Sequence, residues 1–217
     1  MKHRKEMKAM KRSENRLTSG LFADNTVLSA CMVISPVIMC GDTIKNAIAL
    51  IYVFTAITLP SVLIASFVPK RLPYAVKIII YAVISSLIYI PVKIIAENYY
   101  PESIARIGIY FPLIAVNSLI VYQTEAKFFR MKRTKMIGSL IFYVFGFDAV
   151  MLITGFIREL FAYGTINSRM VDMNTVISGL GKPFGGFIFL GLMCGIYRKI
   201  RSTIPEKKVR SDVNVSD

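Results

Sequence analysis

Apolar residues along this chain fall in long runs, not at the spacing of a half-buried helix or strand. Six runs are predicted as elements, with limits near 26–40, 44–68, 74–96, 103–123, 137–157 and 183–197. Roughly 20 apolar residues cross the hydrocarbon core of a bilayer as a helix. The first run is short, at the lower limit for a span, and contains Ser35-Pro36. A Gly41-Asp42 turn separates it from the second, which Pro60 interrupts. Pro69 and Pro73 bracket the next turn, and Pro91 falls near the end of the third run. The fourth lies within PESIARIGIYFPLIAVNSLIVYQTEA, residues 101–126. Pro112, Asn117 and Ser118 sit where a plain anchor would carry aliphatics, which points to a broken helix packed against protein.

These runs predict an all-α membrane protein of six transmembrane helices. Six spans divide into two sets of three, and an odd number per set makes the second insert upside down. The expected architecture is two inverted three-helix repeats with broken first and fourth helices, and a working site near the midplane. The membrane domain is predicted over 21–200, between a basic tail at 1–20 and a C-terminal tail at 201–217.

Composition supports the membrane reading. Of 217 residues, 54% are hydrophobic and 18% charged, whereas soluble domains are about a quarter charged. The net charge of +14 could indicate nucleic acid, but placement argues against it. Lysine and arginine cluster in the N-terminal tail, at Lys70-Arg71, between Lys127 and Lys135, and from Arg198 to Arg210. All these clusters lie on one side of a six-span layout. The opposite loops carry Asp42, Glu97, Glu102, Glu159 and Asp172 among their charges. The positive-inside rule then places both termini in the cytoplasm. No cleavable signal peptide is evident, because no apolar core directly follows the basic start. Met7, Met10 and Leu17 give that tail a weak helical stripe. It reads as a solvated topology signal or as an interfacial helix on anionic lipid. Cys31, Cys40 and Cys194 all lie in apolar runs, and the lone His3 is in the tail, so neither a disulfide framework nor a His/Cys metal cluster is expected.

Few side chains offer chemistry. Gly179-Leu180-Gly181-Lys182 has the wrong spacing for a phosphate loop and no preceding strand. Gly185-Gly186 reads as a close-packing site. Tyr99 and Tyr100 read as interfacial anchors, and Glu125 as an offset to the basic loop that follows it. No nucleophile–base arrangement is evident. Ser35, Asn117 and Ser118 have two readings. They are ligands for an ion or small molecule at a broken-helix midplane, or polar packing residues worth about 0.6 kcal/mol each.

The stretch IGIYFPLIAVNSLIVYQTEA resembles the fourth-span signature of the Rnf/Nqr integral membrane subunits, approximately G-I-F/Y-I/L-P-L-I-V-V-N-C-x-I-x-G-x-A-E-A. Three further blocks agree in order and spacing. Asn25–Pro36 resembles N-P-V-L-x-x-x-x-G-L-C-P, Gly146–Gly164 a block ending I-R-E-L-x-G-x-G, and Pro183–Leu192 a final P-P-G-A-F-I-x-L-G-L. Four gap-free blocks in one order are far more specific than any single motif. The resemblance implies a subunit of an ion-pumping complex that moves electrons between ferredoxin or NADH and NAD or quinone. It implies a bacterial-type plasma (inner) membrane and a paralogous, oppositely oriented six-span partner beside other subunits. Termini inside would match the E-type subunit of Rnf and the D-type subunit of Nqr.

In such pairs each partner is expected to bring two cysteines, one from the first span and one from the fourth, to a shared 2Fe–2S centre. Thiolates are the usual ligands of that iron. Here those positions are Ser35 and Ser118. A hydroxyl is a poor substitute for thiolate, so no cofactor is expected in this chain. Cys31, one helical turn before Ser35, could supply at most one displaced ligand. Arg158 and Glu159 match the family's R-E pair and are expected to form a structural ion pair or a partner contact. Asp148 stands where the family block has an uncharged residue, near the centre of the fifth run. It reads as a proton or sodium site, or as a protonated carboxyl bonded to a neighbour. The alternative from a different class is a membrane subunit of a vitamin-type small-molecule transporter.

Overall fold

The computed structural model describes residues 33–69, 71–117, 133–167, 169–171 and 177–213, with Asn25, Val27, Leu28, Ile120 and Thr124. The N-terminal tail, Cys31, Ser118 and Glu125 lie outside the described residues. The chain is mostly helical, as its apolar runs predict. In chain order the helices are α1 (Ile34–Cys40), α2 (Ile44–Ala65), α3 (Tyr74–Tyr99), α4 (Pro101–Ile107), α5 (Tyr110–Ala115), α6 (Arg133–Tyr163) and α7 (Pro183–Val213). Among the described residues, α2, α3 and α6 are long and apolar enough to cross a membrane.

The first and fourth runs differ from the continuous spans around them. In the first, helix α1 begins at Ile34, directly behind Val33 in the left-handed conformation with φ of 58°. Pro36 does not cause that break. It is the third residue of α1, where its missing N–H has no helical partner in any case. The fourth breaks at Gly108, whose φ of 50° and ψ of −119° suit a residue without Cβ. It ends again at Val116. Pro112, expected to be the breaker, is the third residue of α5.

Two other prolines also do less than expected. Pro60 lies inside an unbroken α2 and Pro91 inside an unbroken α3. Helices in a membrane tolerate an internal proline. Helix α7 starts at Pro183 as predicted but continues to Val213, past the predicted limit of 197. No pattern in the sequence announces a small hairpin, Thr165–Ile166 (β1) against Arg169–Met170 (β2). It turns at Asn167, φ 50°, a residue type that tolerates this region.

Helix α2 is the hub. Thr43 caps it, its side chain accepting from Asn46 N. It packs against α3, α4, α5 and α6. Its pairing with α6 is antiparallel. Ala47 meets Gly155 near one end, and Phe54 stacks on Phe147 further along with ring centroids 3.8 Å apart. A Cβ on Gly155 would come within 2.8 Å of the Ala47 Cβ, so glycine there sets the close crossing. Helix α3 buries only a narrow stripe, including Tyr81, Ser85, Val92 and Ala96. Its opposite face exposes Ile79, Val83, Leu87, Ile90 and Ile94. A helix apolar on both faces belongs in lipid.

The short connections gather at one end of the bundle. Lys45, Tyr99, Tyr100, Glu102 and Asn167 line a shared cleft of about 400 Å³ there. Arg106 and Asp42 form an ion pair of 3.5 Å at the same end. Arg71, in the turn before α3, and the first residues of α6 lie toward the other.

Candidate functional site

Helix α6 has Asp148 at its midpoint, with fifteen residues on either side. Thr55 lies near the midpoint of α2, and antiparallel packing brings the two to one level. The Thr55 hydroxyl donates to the Asp148 carboxyl oxygens at 3.3 and 3.5 Å. Both side chains are half-buried. A charged residue at such depth costs about 2.5–3.5 kcal/mol on insertion scales. One threonine hydroxyl offsets only part of that.

One turn further along α2, Thr58 is fully buried. Its hydroxyl oxygen accepts from Asn117 Nδ2 at 3.3 Å. The same amide nitrogen donates to Ile114 O at 2.9 Å, and Asn117 Oδ1 accepts from Ile120 N at 3.0 Å. Asn117 thus caps the carbonyl end of α5 and ties down the chain beyond it. Thr55 and Thr58 are three residues apart, about 4.5 Å along the axis, on neighbouring positions of one face. Helix α2 therefore links Asp148 of α6 and Asn117 of the broken fourth run into one polar layer at mid-helix depth. Sequence reasoning singled out Asp148 and Asn117 and missed both threonines.

Ser35 is not part of this layer in any observed contact. It lies exposed on α1, and Ser118 is outside the described residues.

Arg158 and Glu159 form a second polar centre, near the end where the short connections gather. Neighbours on α6, they reach different elements. Arg158 is 1% exposed. It donates Nη1–H to Ile38 O at 2.6 Å, Nε–H to Leu180 O at 2.9 Å, and Nη2–H to Gly181 O and Lys182 O at 3.3 and 3.4 Å. The guanidinium fork thus closes the carbonyl end of α1 and the tight turn Ser178–Gly181 before α7. Glycines make room for it. A Cβ on Gly186 would lie 3.0 Å from Arg158 Cζ, and one on Gly185 would collide with Gly179 O. Glu159 accepts from Ile44 N at 2.6 Å, at the start of α2, and from Thr165 Oγ1 at 3.2 Å. A carboxylate at the first turn of a helix is favourable.

Asn25 resembles Asn117 in what it does. Its Oδ1 accepts from Val27 N and Leu28 N, and its Nδ2 donates to Gly146 O at 2.8 Å. An amide is thus found at each of the two interrupted runs, bonded both to the local chain and to another element.

The family model described as "Rnf-Nqr subunit, membrane protein" matches residues 14–194. Similar full-length proteins carry names from two kinds of complex. A protein of Shewanella loihica, named as the E-type subunit of an ion-translocating oxidoreductase complex, is 24% identical over 206 residues, covering 87% of this chain and 88% of that protein. A protein of Pseudoalteromonas translucida, named as the D-type subunit of an Na(+)-translocating NADH-quinone reductase, is 25% identical over 215 residues, covering 94% and 98%. A further E-type protein, from Yersinia pestis, is 24% identical over 223 residues, covering 95% of each chain.

Proposed function

The chain belongs to the Rnf-Nqr subunit family of membrane proteins, and from that premise we propose that it is a membrane subunit of an ion-translocating oxidoreductase complex. Full-length similarity to subunits so named carries this reading. Other subunits of such a complex are its partners, among them a paralogous six-span chain. The six apolar runs then act as six spans in two inverted halves. The α1 and α4–α5 breaks are the matching interruptions, and the basic connections lie on the cytoplasmic side of a bacterial plasma membrane.

This copy does not carry electrons itself. The residues at the two positions that would hold an iron–sulfur centre, Ser35 and Ser118, do not fit it, because iron in such centres is held by thiolates. Of the described cysteines, Cys40 is buried at the end of α1 and Cys194 lies on α7. Its role is to scaffold the complex and contribute to the ion path.

The test is a pull-down of the tagged chain from native membranes in mild detergent, with partners identified and iron assayed. Expected are flavin- and iron-containing subunits, a second six-span chain, and no iron beyond what the other subunits hold. ATPase partners, or a bound small molecule without partners, would replace this reading with that of a transporter subunit.

A further inference from the structure

We infer that the polar layer at mid-helix depth is a binding site for a small monovalent cation, centred on Asp148 and Thr55. Its donors are all oxygen: the two Asp148 carboxyl oxygens, the Thr55 hydroxyl and, one turn on, the fully buried Thr58 hydroxyl. Oxygen-only sets suit hard cations such as sodium. Backbone adds to the set. Pro60 has no N–H, so it leaves the Ala56 carbonyl, next to Thr55, without the helical bond that position normally supplies.

Charge balance selects the ligand. On the three membrane-length helices the lysines and arginines are Lys45, Lys77, Lys93, Arg133, Lys135 and Arg158. Each lies toward an end of its helix, and Asp148 lies at a midpoint. The nearest basic residue of α6 is Arg158, whose donors are engaged by Ile38, Leu180, Gly181 and Lys182. Within these spans the carboxylate therefore has no cationic side chain at its own level, and a bound cation supplies the missing charge. The hydroxyl contacts of 3.3 and 3.5 Å are long for an O–H···O bond, which is the spacing of oxygens that can admit an ion between them.

This site deepens the ion-path reading above and rests on it for its role in a complex. Its test does not need the complex. The purified full chain is assayed for binding of radioactive sodium. Its thermal unfolding is compared in sodium, lithium, potassium and choline chlorides at equal ionic strength. Saturable sodium binding and a rise in Tm of a few degrees over choline are expected. Asp148→Asn removes both, weakening binding by more than about tenfold, and Thr55→Val weakens it several-fold. Ser85→Ala on α3, whose hydroxyl donates to Tyr81 O, leaves binding unchanged.

A sodium effect that survives Asp148→Asn overturns the site, as does a wild-type chain indifferent to every alkali cation and responsive only to pH. If Asp148→Asn does not fold, the near-isosteric Thr55→Val and Thr58→Val decide, and unchanged affinity in both overturns the assignment. Sodium binding by a chain that captures no partners would overturn the subunit reading and leave the site standing. A complex assembled around a chain that ignores sodium would do the reverse.

Discussion

The first and fourth apolar runs are both interrupted, and they are closed in different ways. The fourth is closed from within. Gly108 supplies the positive φ, and Asn117 caps its own helix through Ile114 O three residues back. The first is closed from outside. Val33 carries the positive φ against its side chain at the start of α1, and at the far end of that helix the Ile38 carbonyl is met by Arg158, 120 residues further along the chain. A break closed locally depends on its own segment. One closed at long range depends on every element that positions the distant donor.

The largest expected effect follows from that dependence. Arg158→Met removes the donor for Ile38, Leu180, Gly181 and Lys182 together and leaves one buried and three part-buried carbonyls unpaired. The unpaired buried carbonyl alone costs about 1–3 kcal/mol, and the three part-buried ones add to it. The variant is expected to lose most folded protein in detergent-solubilised membranes and to unfold far below wild type. Arg158→Lys should recover only part, because a point charge cannot bridge α1 and the 178–181 turn at once. A fully stable Arg158→Met chain would show that the carbonyl end of α1 does not need closing from outside.

Asn117→Ala is the local counterpart. It removes bonds to Thr58, Ile114 and Ile120 within a buried layer, worth about 1–3 kcal/mol for the groups left unpaired. Thermal unfolding should show a clear drop, smaller than for Arg158→Met. An equal or larger drop would mean that the fourth run holds the fold together as much as α6 does.

This ordering also marks what the sequence could convey. Runs of apolar residues locate α2, α3 and α6 and the start of α7, because length and lack of charge are properties of the segment itself. Asn117 and Asp148 stand out because a polar group in an apolar run is conspicuous wherever it points. Thr55 and Thr58 do not, since threonine is common in such helices. Their partners lie 93 and 59 residues away. Prolines misled for a related reason. Pro36 and Pro112 sit at the third residue of their helices, where they initiate, and Pro60 and Pro91 lie inside helices that continue past them. The breaks fall instead at Val33 and Gly108. Arg158 and Glu159 are visible as a pair by resemblance, but adjacent residues on a helix diverge. Where each points was decided by α1, the turn before α7 and the start of α2.

A third prediction concerns the glycines that let the distant closure fit. Gly185→Ala drives a Cβ into Gly179 O, which neither backbone can avoid without moving. Overpacking of this kind costs about 1–3 kcal/mol. It should lower Tm through the same turn that Arg158 closes, so its effect should shrink in an Arg158→Met background. Additive losses would separate the two.

The smallest expected effect compares the two backbone breaks directly. Gly108→Ala forces a Cβ into φ 50°, ψ −119°, a region that costs a residue other than glycine about 1–3 kcal/mol. Val33→Gly is the opposite exchange at the first break, where the resembling pattern has G-L-C-P and this chain has Val33-Ile34-Ser35-Pro36. Glycine relieves a left-handed strain of about 1–2 kcal/mol. It gives up the contacts of a partly buried side chain packed on the core and adds freedom to the unfolded chain. These terms nearly offset, so Tm should move by no more than a few degrees in either direction. A loss in Val33→Gly as large as in Gly108→Ala would mean that Val33 serves the first break by packing. In that case the two interruptions would differ in how the chain turns as well as in how their ends are closed.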